Sequence, residues 1–334
     1  MVHESEPSYV RRAASDLAAY LQEITGTPVS ILTSRKELVR PTAAIVVGQR
    51  MATQMSVAQD LNPVLGEEGF IVRRPQDSRL KLVVAGYSPH GTNAGIATLM
   101  RMIRTDGKRP YVEGLPVRNK PDVALRGLQA GGWPIKYPYA GWQEQDWERF
   151  IDMAWIHRVN LLLLAPLLDI LPVPLSAEDE AYVEEVRRIV DYAQKQRGMK
   201  VWVGMPANRI GISDCGTRDP RVRPYWINGC QKDFNPADPK QFARIVETVE
   251  AFYRIVNNAD GILMGDADPG GWPNSPLSEQ VKIFQNARRM LDRYNIHGQQ
   301  AVLADFMWIG WGRHKYFTST DRLVTGFDWS EKNP

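Results

Sequence analysis

Cysteine is almost missing from this 334-residue sequence, which has only Cys215 and Cys230. That rules out a disulfide-framework scaffold, because such proteins are cysteine-dense and short. It also argues against a zinc centre, since neither a second cysteine pair nor a histidine lies near the two. The pair either closes a short loop, stabilising it by roughly 3 kcal/mol on chain-entropy grounds, or consists of two free thiols. The sequence leaves both open. Long apolar runs are missing too. A membrane helix needs about 18–20 apolar residues, and the longest run, Val159 to Leu168, is broken by Asn160 and Pro166. It suits a buried strand and the loop after it, so no membrane partner is expected. Charge of one sign is also lacking: 41 basic against 38 acidic residues leave a net charge of +3. The basic clusters Arg101 to Arg109 and Arg187 to Arg197 read as solvated helix ends and loops, so nucleic acid is not expected as a partner. The five histidines form neither a Ser-His-Asp order nor a metal-ligand cluster. The glycine pairs Gly131-Gly132 and Gly270-Gly271 do not follow the dinucleotide pattern. No metal or cofactor is expected.

What is present is alternation. Pro7 to Thr25 carries Val10, Ala13, Leu17, Tyr20, Leu21 and Ile24 at helical spacing, and Gly26 follows as a stop. Pro28 to Leu32 is a short apolar run and Ala43 to Val47 a β-rich one. Gly69 to Arg73 and Leu80 to Ala85 flank the turn-prone Pro75-Gln76-Asp77-Ser78 as a hairpin. Gly91-Thr92 opens a second helix over about Asn93 to Ile103. Gly107 to Asp122, rich in Gly, Pro and charge, reads as a connection.

After it the pattern becomes regular. Strands are predicted at Val123 to Leu125, Asn160 to Ala165, Lys200 to Met205, Gly261 to Met264 and Gln300 to Phe306. Helices are predicted at Gln145 to His157, Ala177 to Gln196, Pro239 to Val256 and Ser278 to Tyr294. Successive β–α units without a nucleotide fingerprint favour a (β/α) barrel over a Rossmann sheet. The expected fold class is therefore α/β. A small α+β domain over residues 1–118 precedes a (β/α)8-type barrel over 119–334 that is incomplete at its C-terminus: only five units, with Leu323 to Phe327 as a candidate sixth strand, precede Pro334.

Several segments resemble a known arrangement: SDLAAYLQEITG from Ser15, then LGEEGFIVRR, RLKLVVAGYSPHGTNAGIATLMRMI and DVALRGL. Together they resemble the non-catalytic N-terminal domain and barrel entry of the hexosaminidase-like glycoside hydrolases. These include the family 20 β-N-acetylhexosaminidases, the family 84 β-N-acetylglucosaminidases and the family 67 and 115 α-glucuronidases. The resemblance covers about the first 165 residues. It implies a glycosidase acting on terminal N-acetylhexosaminides or uronides of an oligosaccharide or polysaccharide. It also implies a secreted or periplasmic enzyme, read here as a mature or truncated form because MVHESEPSYVRRAASDL has no apolar signal core. Through Ala124-Leu125-Arg126-Gly127 it makes Arg126 a sugar-contact candidate.

Glycosidases use two carboxyl groups, one to protonate the leaving oxygen and one as nucleophile, base or stabiliser. Where the substrate's acetamido group is the nucleophile, the carboxylates sit together after barrel strand four. Counting from Val123, strand four is Gly261 to Met264, and Asp266-Ala267-Asp268-Pro269-Gly270-Gly271-Trp272 follows. Two acids two residues apart on an extended segment point the same way, with Cα atoms about 6.5–7 Å apart. Their proximity raises one pKa, which suits a general acid. Asp268 is the candidate acid and Asp266 its partner. The alternative use of an Asp before Pro-Gly is to cap a turn. The sequence has ten tryptophans. Of these, Trp272, Trp308 and Trp311 fall in strand-end loops as candidate sugar platforms, whereas Trp147, Trp155 and Trp202 have packing periodicity. Asp305 and Asn208 complete the candidate binding set. The competing reading is a non-catalytic carbohydrate-binding protein or an inactive fragment.

Overall fold

The structure is a computed structural model that describes residues 1–37, 43–76, 80–107, 109–131, 141–166, 168–223, 230–265 and 277–306. The chain divides into two compact units. One comprises Met1–Leu128, Gln145–Leu161 and Asp191–Lys200. The other comprises Gln129–Glu144, Leu162–Val190 and Val201–Pro334.

In the first unit, helix α1 (Ser8–Thr25) buries Val10, Ala13, Ala14 and Leu17 and ends on Gly26 at φ 64°, a left-handed cap that glycine adopts without a Cβ clash. Strands β1 (Ala44–Val47), β2 (Phe70–Arg73) and β3 (Leu80–Gly86) follow, with helix α2 (Gln49–Gln54) after β1. The hairpin reading holds, because β2 pairs antiparallel with β3. Helix α3 (Pro89–Met102) starts earlier than the Gly-Thr pair suggests. Ser88 caps it by accepting from the amides of His90 (3.0 Å) and Gly91 (3.3 Å), and Pro89 supplies the preset φ of a first turn. Thr92 instead ties helix to strand, its hydroxyl accepting from the Gly86 amide at 3.0 Å. A Cβ on Gly86 would collide with the backbone of Gly91 and Thr92, so glycine permits this approach.

The stretch read as a connection is not one. It contains β5 (Pro110–Val112), which pairs with β4 (Ile103–Thr105), and β6 (Val117–Asn119). β6 adds to β2 as the edge of a sheet ordered β1-β3-β2-β6. Charge and proline concealed these edge strands, which need no alternating apolar face. Pro28 to Leu32 forms no strand, and Val29 and Ile31 stay exposed.

The second sheet is the regular one. Strands β7 (Gly127–Gly131), β8 (Leu161–Ala165), β9 (Lys200–Pro206), β12 (Gly261–Gly265) and β13 (Val302–Phe306) lie side by side in chain order. Helices α4 (Glu144–Ile156), α5 (Ala177–Arg197), α6 (Pro239–Ile255) and α7 (Leu277–Tyr294) separate successive strands. Among the described residues a short ribbon interrupts the alternation, β10 (Arg209–Gly211) paired antiparallel with β11 (Gln231–Asp233). β12 runs parallel to both β9 and β13. A sequential parallel order with a helix at each crossover is the (β/α) barrel pattern. The first strand lies at Gly127–Gly131 rather than at Val123 to Leu125, because Val123 and Leu125 are exposed and unpaired to any strand. Val203 and Met205 of β9 and Ile262 and Met264 of β12 are buried at alternate positions, as a covered sheet face requires. Among the described residues no helix is long and apolar enough to cross a membrane.

A buried polar network lies within the first unit. Arg197, 3% exposed, reaches Asp152 at 2.5 Å and also pairs with Asp16. It lies 4.6 Å from the Trp155 ring centroid. Trp155 donates to Asn93 Oδ1 at 3.0 Å, and Asn93 donates to the Arg197 carbonyl at 2.7 Å. Burial disfavours the Arg197 charge, but the bonds to Asp152 and Asp16 outweigh it and push the pKa up.

The same unit supports an alkaline prediction. Burial, then the Asp152 charge, pushes Tyr192 up to about 12; burial, then Glu6 and Glu67, does the same for Tyr9. An unfolded tyrosine ionises near pH 10, by roughly its reference value. The unfolded chain therefore releases these protons first. The stabilisation is fully present below about pH 10 and is lost as pH rises through about 12. Denaturant-derived stabilities across that window should fall with pH. In a Tyr9→Phe/Tyr192→Phe double variant the slope should be shallower, and an unchanged slope would refute the assignment.

Candidate functional site

The carboxyl ends of parallel barrel strands are where βα loops build active sites. In the second unit, β9 ends at Pro206 and β12 at Gly265, and these two residues are register partners. The next pair in that register row is Gly265 with Phe306, the last residue of β13. Close approach shapes this sheet: a Cβ on Gly261 would lie 2.7 Å from Trp202, and one on Gly204 would lie 3.2 Å from Ala165 Cα.

The loops after β8 and β9 are tied together. A parallel bridge joins Pro172 to Gly211, and Gln231 donates to Asp169 Oδ2 at 3.1 Å. Cys215 and Cys230 form a disulfide, Cα–Cα 5.5 Å, which resolves the alternatives left open by the sequence. Inside the loop it closes, Arg223 pairs with Asp179 at 2.5 Å, each side chain only 1% exposed. Arg223 also donates to the Thr217 carbonyl (3.1 Å) and the Arg218 carbonyl (2.9 Å). Arg221 pairs with Glu185 and stacks 5.6 Å from the Tyr182 ring centroid. Burial pushes the Glu185 carboxyl up, against the Arg221 charge that pulls it down.

Comparison with solved structures gives the architecture a context. The chain is similar to a family 20 β-N-acetylhexosaminidase from Streptomyces coelicolor A3(2). The TM-score is 0.59 at 14% identity, over 91% of this chain and 61% of that one. It is similar to a family 20 chitobiase from Flavobacterium johnsoniae (TM-score 0.57, 16% identity, 90% and 48% covered). It is also similar to a family 115 4-O-methyl-α-glucuronidase with specificity for decorated arabinogalactans (0.54, 19%, 88% and 39%). The chain has the hexosaminidase-like glycoside hydrolase fold. It spans about two fifths to three fifths of the length of these structures. No protein-family model and no curated protein matches it.

Within the hexosaminidase-like fold, the sequence-derived candidates separate. Asp266, Asp268, Trp272, Trp308 and Trp311 lie outside the described residues. What is described is their approach: Gly265, immediately before Asp266, ends β12, the fourth strand of the sheet. Asp305 lies in β13 as the register partner of Met264. Asn208 lies just beyond β9, fully buried, with Nδ2 donating to the Phe234 carbonyl at 3.2 Å and its own carbonyl accepting from the Phe234 amide at 2.9 Å. It pins the base of the β10–β11 ribbon.

Arg126 immediately precedes β7 and so sits at the amino end of the first strand, opposite the end where barrel sites form. Its guanidinium is taken up by protein: Nε donates to the Arg158 carbonyl (3.0 Å), Nη1 to the Val123 carbonyl (2.7 Å), and Nη2 pairs with Glu68. Asn160 joins the same cluster, donating to Glu68 at 2.5 Å and accepting from the Arg126 amide at 2.7 Å. The cavity beside them, about 30 Å³, has room for roughly one water and no sugar. Arg126 therefore anchors the strand entry.

Trp147 and Trp155 are buried, as their helical spacing predicts. Sequence reasoning missed the buried Asp179–Arg223 and Glu185–Arg221 pairs. Their one available signal was the cluster Arg218, Arg221 and Arg223 bracketed by the two cysteines.

Proposed function

We propose that the chain belongs to an exo-acting glycoside hydrolase that releases a terminal N-acetylhexosamine or uronic acid from a glycan. Asp268 is the general acid and Asp266 its partner; Trp272, Trp308 and Trp311 form sugar-facing walls, and Asp305 and Asn208 lie near the strand ends. The small α+β layer over 1–118 is accessory and the barrel over 119–334 carries the chemistry. The observation that carries this reading is the end of the fourth strand at Gly265, from which the Asp266-Ala267-Asp268 segment starts on the carboxyl side of the sheet. If the substrate bears a 2-acetamido group, Asp266 orients it and no enzyme nucleophile is needed. For a uronide, inversion requires a base on a later strand. The Cys215–Cys230 disulfide supports maturation in an oxidising compartment, outside the cell or in a periplasm.

The test is a hydrolysis screen with chromogenic N-acetylglucosaminides, N-acetylgalactosaminides and glucuronides, run with Asp266→Asn and Asp268→Asn alongside. Turnover that disappears in either variant supports the assignment. Glycan binding without turnover, unchanged in Asp268→Asn, would favour a carbohydrate-binding module instead.

A further inference from the structure

The loop after the third strand is held more firmly than a connection requires. The β10–β11 ribbon begins at Arg209, three residues after Pro206, and Pro206 pairs in register with Gly265. Neighbouring strands lie about 4.8 Å apart, so the ribbon starts three residues beyond the strand end that adjoins Gly265, the last residue of β12.

Five ties fix it within the second unit. The Cys215–Cys230 disulfide staples its tip, and Ile212 donates to the Cys230 carbonyl at 2.8 Å. Gly211 bridges to Pro172, Gln231 reaches Asp169, and the fully buried Arg223–Asp179 pair bolts the loop to α5. A buried ion pair is a poor source of net stability, because desolvating both charges offsets their attraction. What it supplies is one defined conformation, and supporting groups that lock a loop are what a preorganised site needs. Lys232 of the ribbon is exposed, as are Ile212, Ser213, Asp214 and Val222 of the stretch that joins its strands. Such a mixture meets both the C–H faces and the hydroxyls of sugars.

We propose that the Arg209–Gly211/Gln231–Asp233 ribbon is a preformed wall that positions the glycan beyond its terminal sugar, with Asp179 and Arg223 as its positioning residues. This rests on the glycosidase reading above.

Two variants perturb the wall without touching the strand-four carboxylates. Cys215→Ser/Cys230→Ser removes the staple. Gly211→Val places a Cβ 2.5 Å from the Leu171 carbonyl carbon and 2.7 Å from that of Ile170, prying the two loops apart. Each is assayed on a 4-nitrophenyl monoglycoside and on a tetrasaccharide ending in the same sugar, with melting temperature recorded. KM for the tetrasaccharide should rise about tenfold or more, while kcat on the monoglycoside stays within about twofold. A parallel fall on both substrates, or no change on either, would overturn the proposal. If the wild type hydrolyses nothing, the glycosidase reading fails by itself, and the same three proteins are compared on a printed glycan array. Wild-type binding that is lost in both variants keeps the wall. Equal binding by all three, or none by the wild type, rejects it.

Discussion

Removing both acids that hold Arg197 should destabilise the protein more than removing Arg197 itself. In an Asp16→Ala/Asp152→Ala variant, a guanidinium that is 3% exposed keeps its charge and loses both carboxylates. An uncompensated buried charge costs about 3–5 kcal/mol, and the Trp155 face and the Asn93 bridge at the Arg197 carbonyl do not replace a counter-charge. In Arg197→Met the groups left behind are two carboxylates whose side chains are 24% and 37% exposed. They rehydrate, the methionine keeps most of the packing against Trp155, and the expected loss is only about 2 kcal/mol after discounting for solvent screening. At roughly 2–4 °C per kcal/mol for a protein of this size, calorimetry should resolve the two. The reverse order would mean that Arg197 acts through packing rather than charge. The consequence for architecture is that α1, α3, α4 and the end of α5 share one buried polar centre, so they gain and lose stability together.

That centre shows where sequence reasoning stops. The regular elements of the second sheet were legible because each fully buried strand is a compact apolar run followed by an amphipathic helix. β9 and β12 were placed within a residue and α5 and α6 within about one. β7 was misplaced because Gly127 to Gly131 carries no apolar run, while exposed Val123 and Leu125 imitate one. β5, β6 and the β10–β11 ribbon are three residues each, too short for a period of two to register. The place of Arg126 next to Gly127 says which strand it precedes, but only the chain direction of β7 tells that it sits at the amino end. Contacts between residues far apart in sequence, such as Arg197 with Asp16 or Arg223 with Asp179, leave no local trace beyond a charge in an apolar neighbourhood.

On the roles proposed for Asp266 and Asp268, Asp268→Asn should separate the two carboxylates by leaving group. A general acid contributes about 10²–10⁴-fold when the departing oxygen needs a proton, so cleavage of a sugar–sugar bond should fall by that factor. 4-Nitrophenolate leaves without protonation, and kcat on the nitrophenyl glycoside should therefore fall far less. Asp266→Asn is expected to behave differently. A group that orients the nucleophile or stabilises the oxocarbenium-like transition state acts whatever the leaving group, so both substrates should lose activity together. The pH profiles add an independent arm. On the proposed roles, Asp266→Asn takes a like charge away from beside the acid, so the alkaline limb of the kcat/KM profile should shift to lower pH. Removing Asp268 should abolish that limb for activated substrates. Equal losses on both leaving groups in both variants, with no shift of either limb, would reduce Asp266-Ala267-Asp268 to a capped turn and move the search for the acid to another strand end.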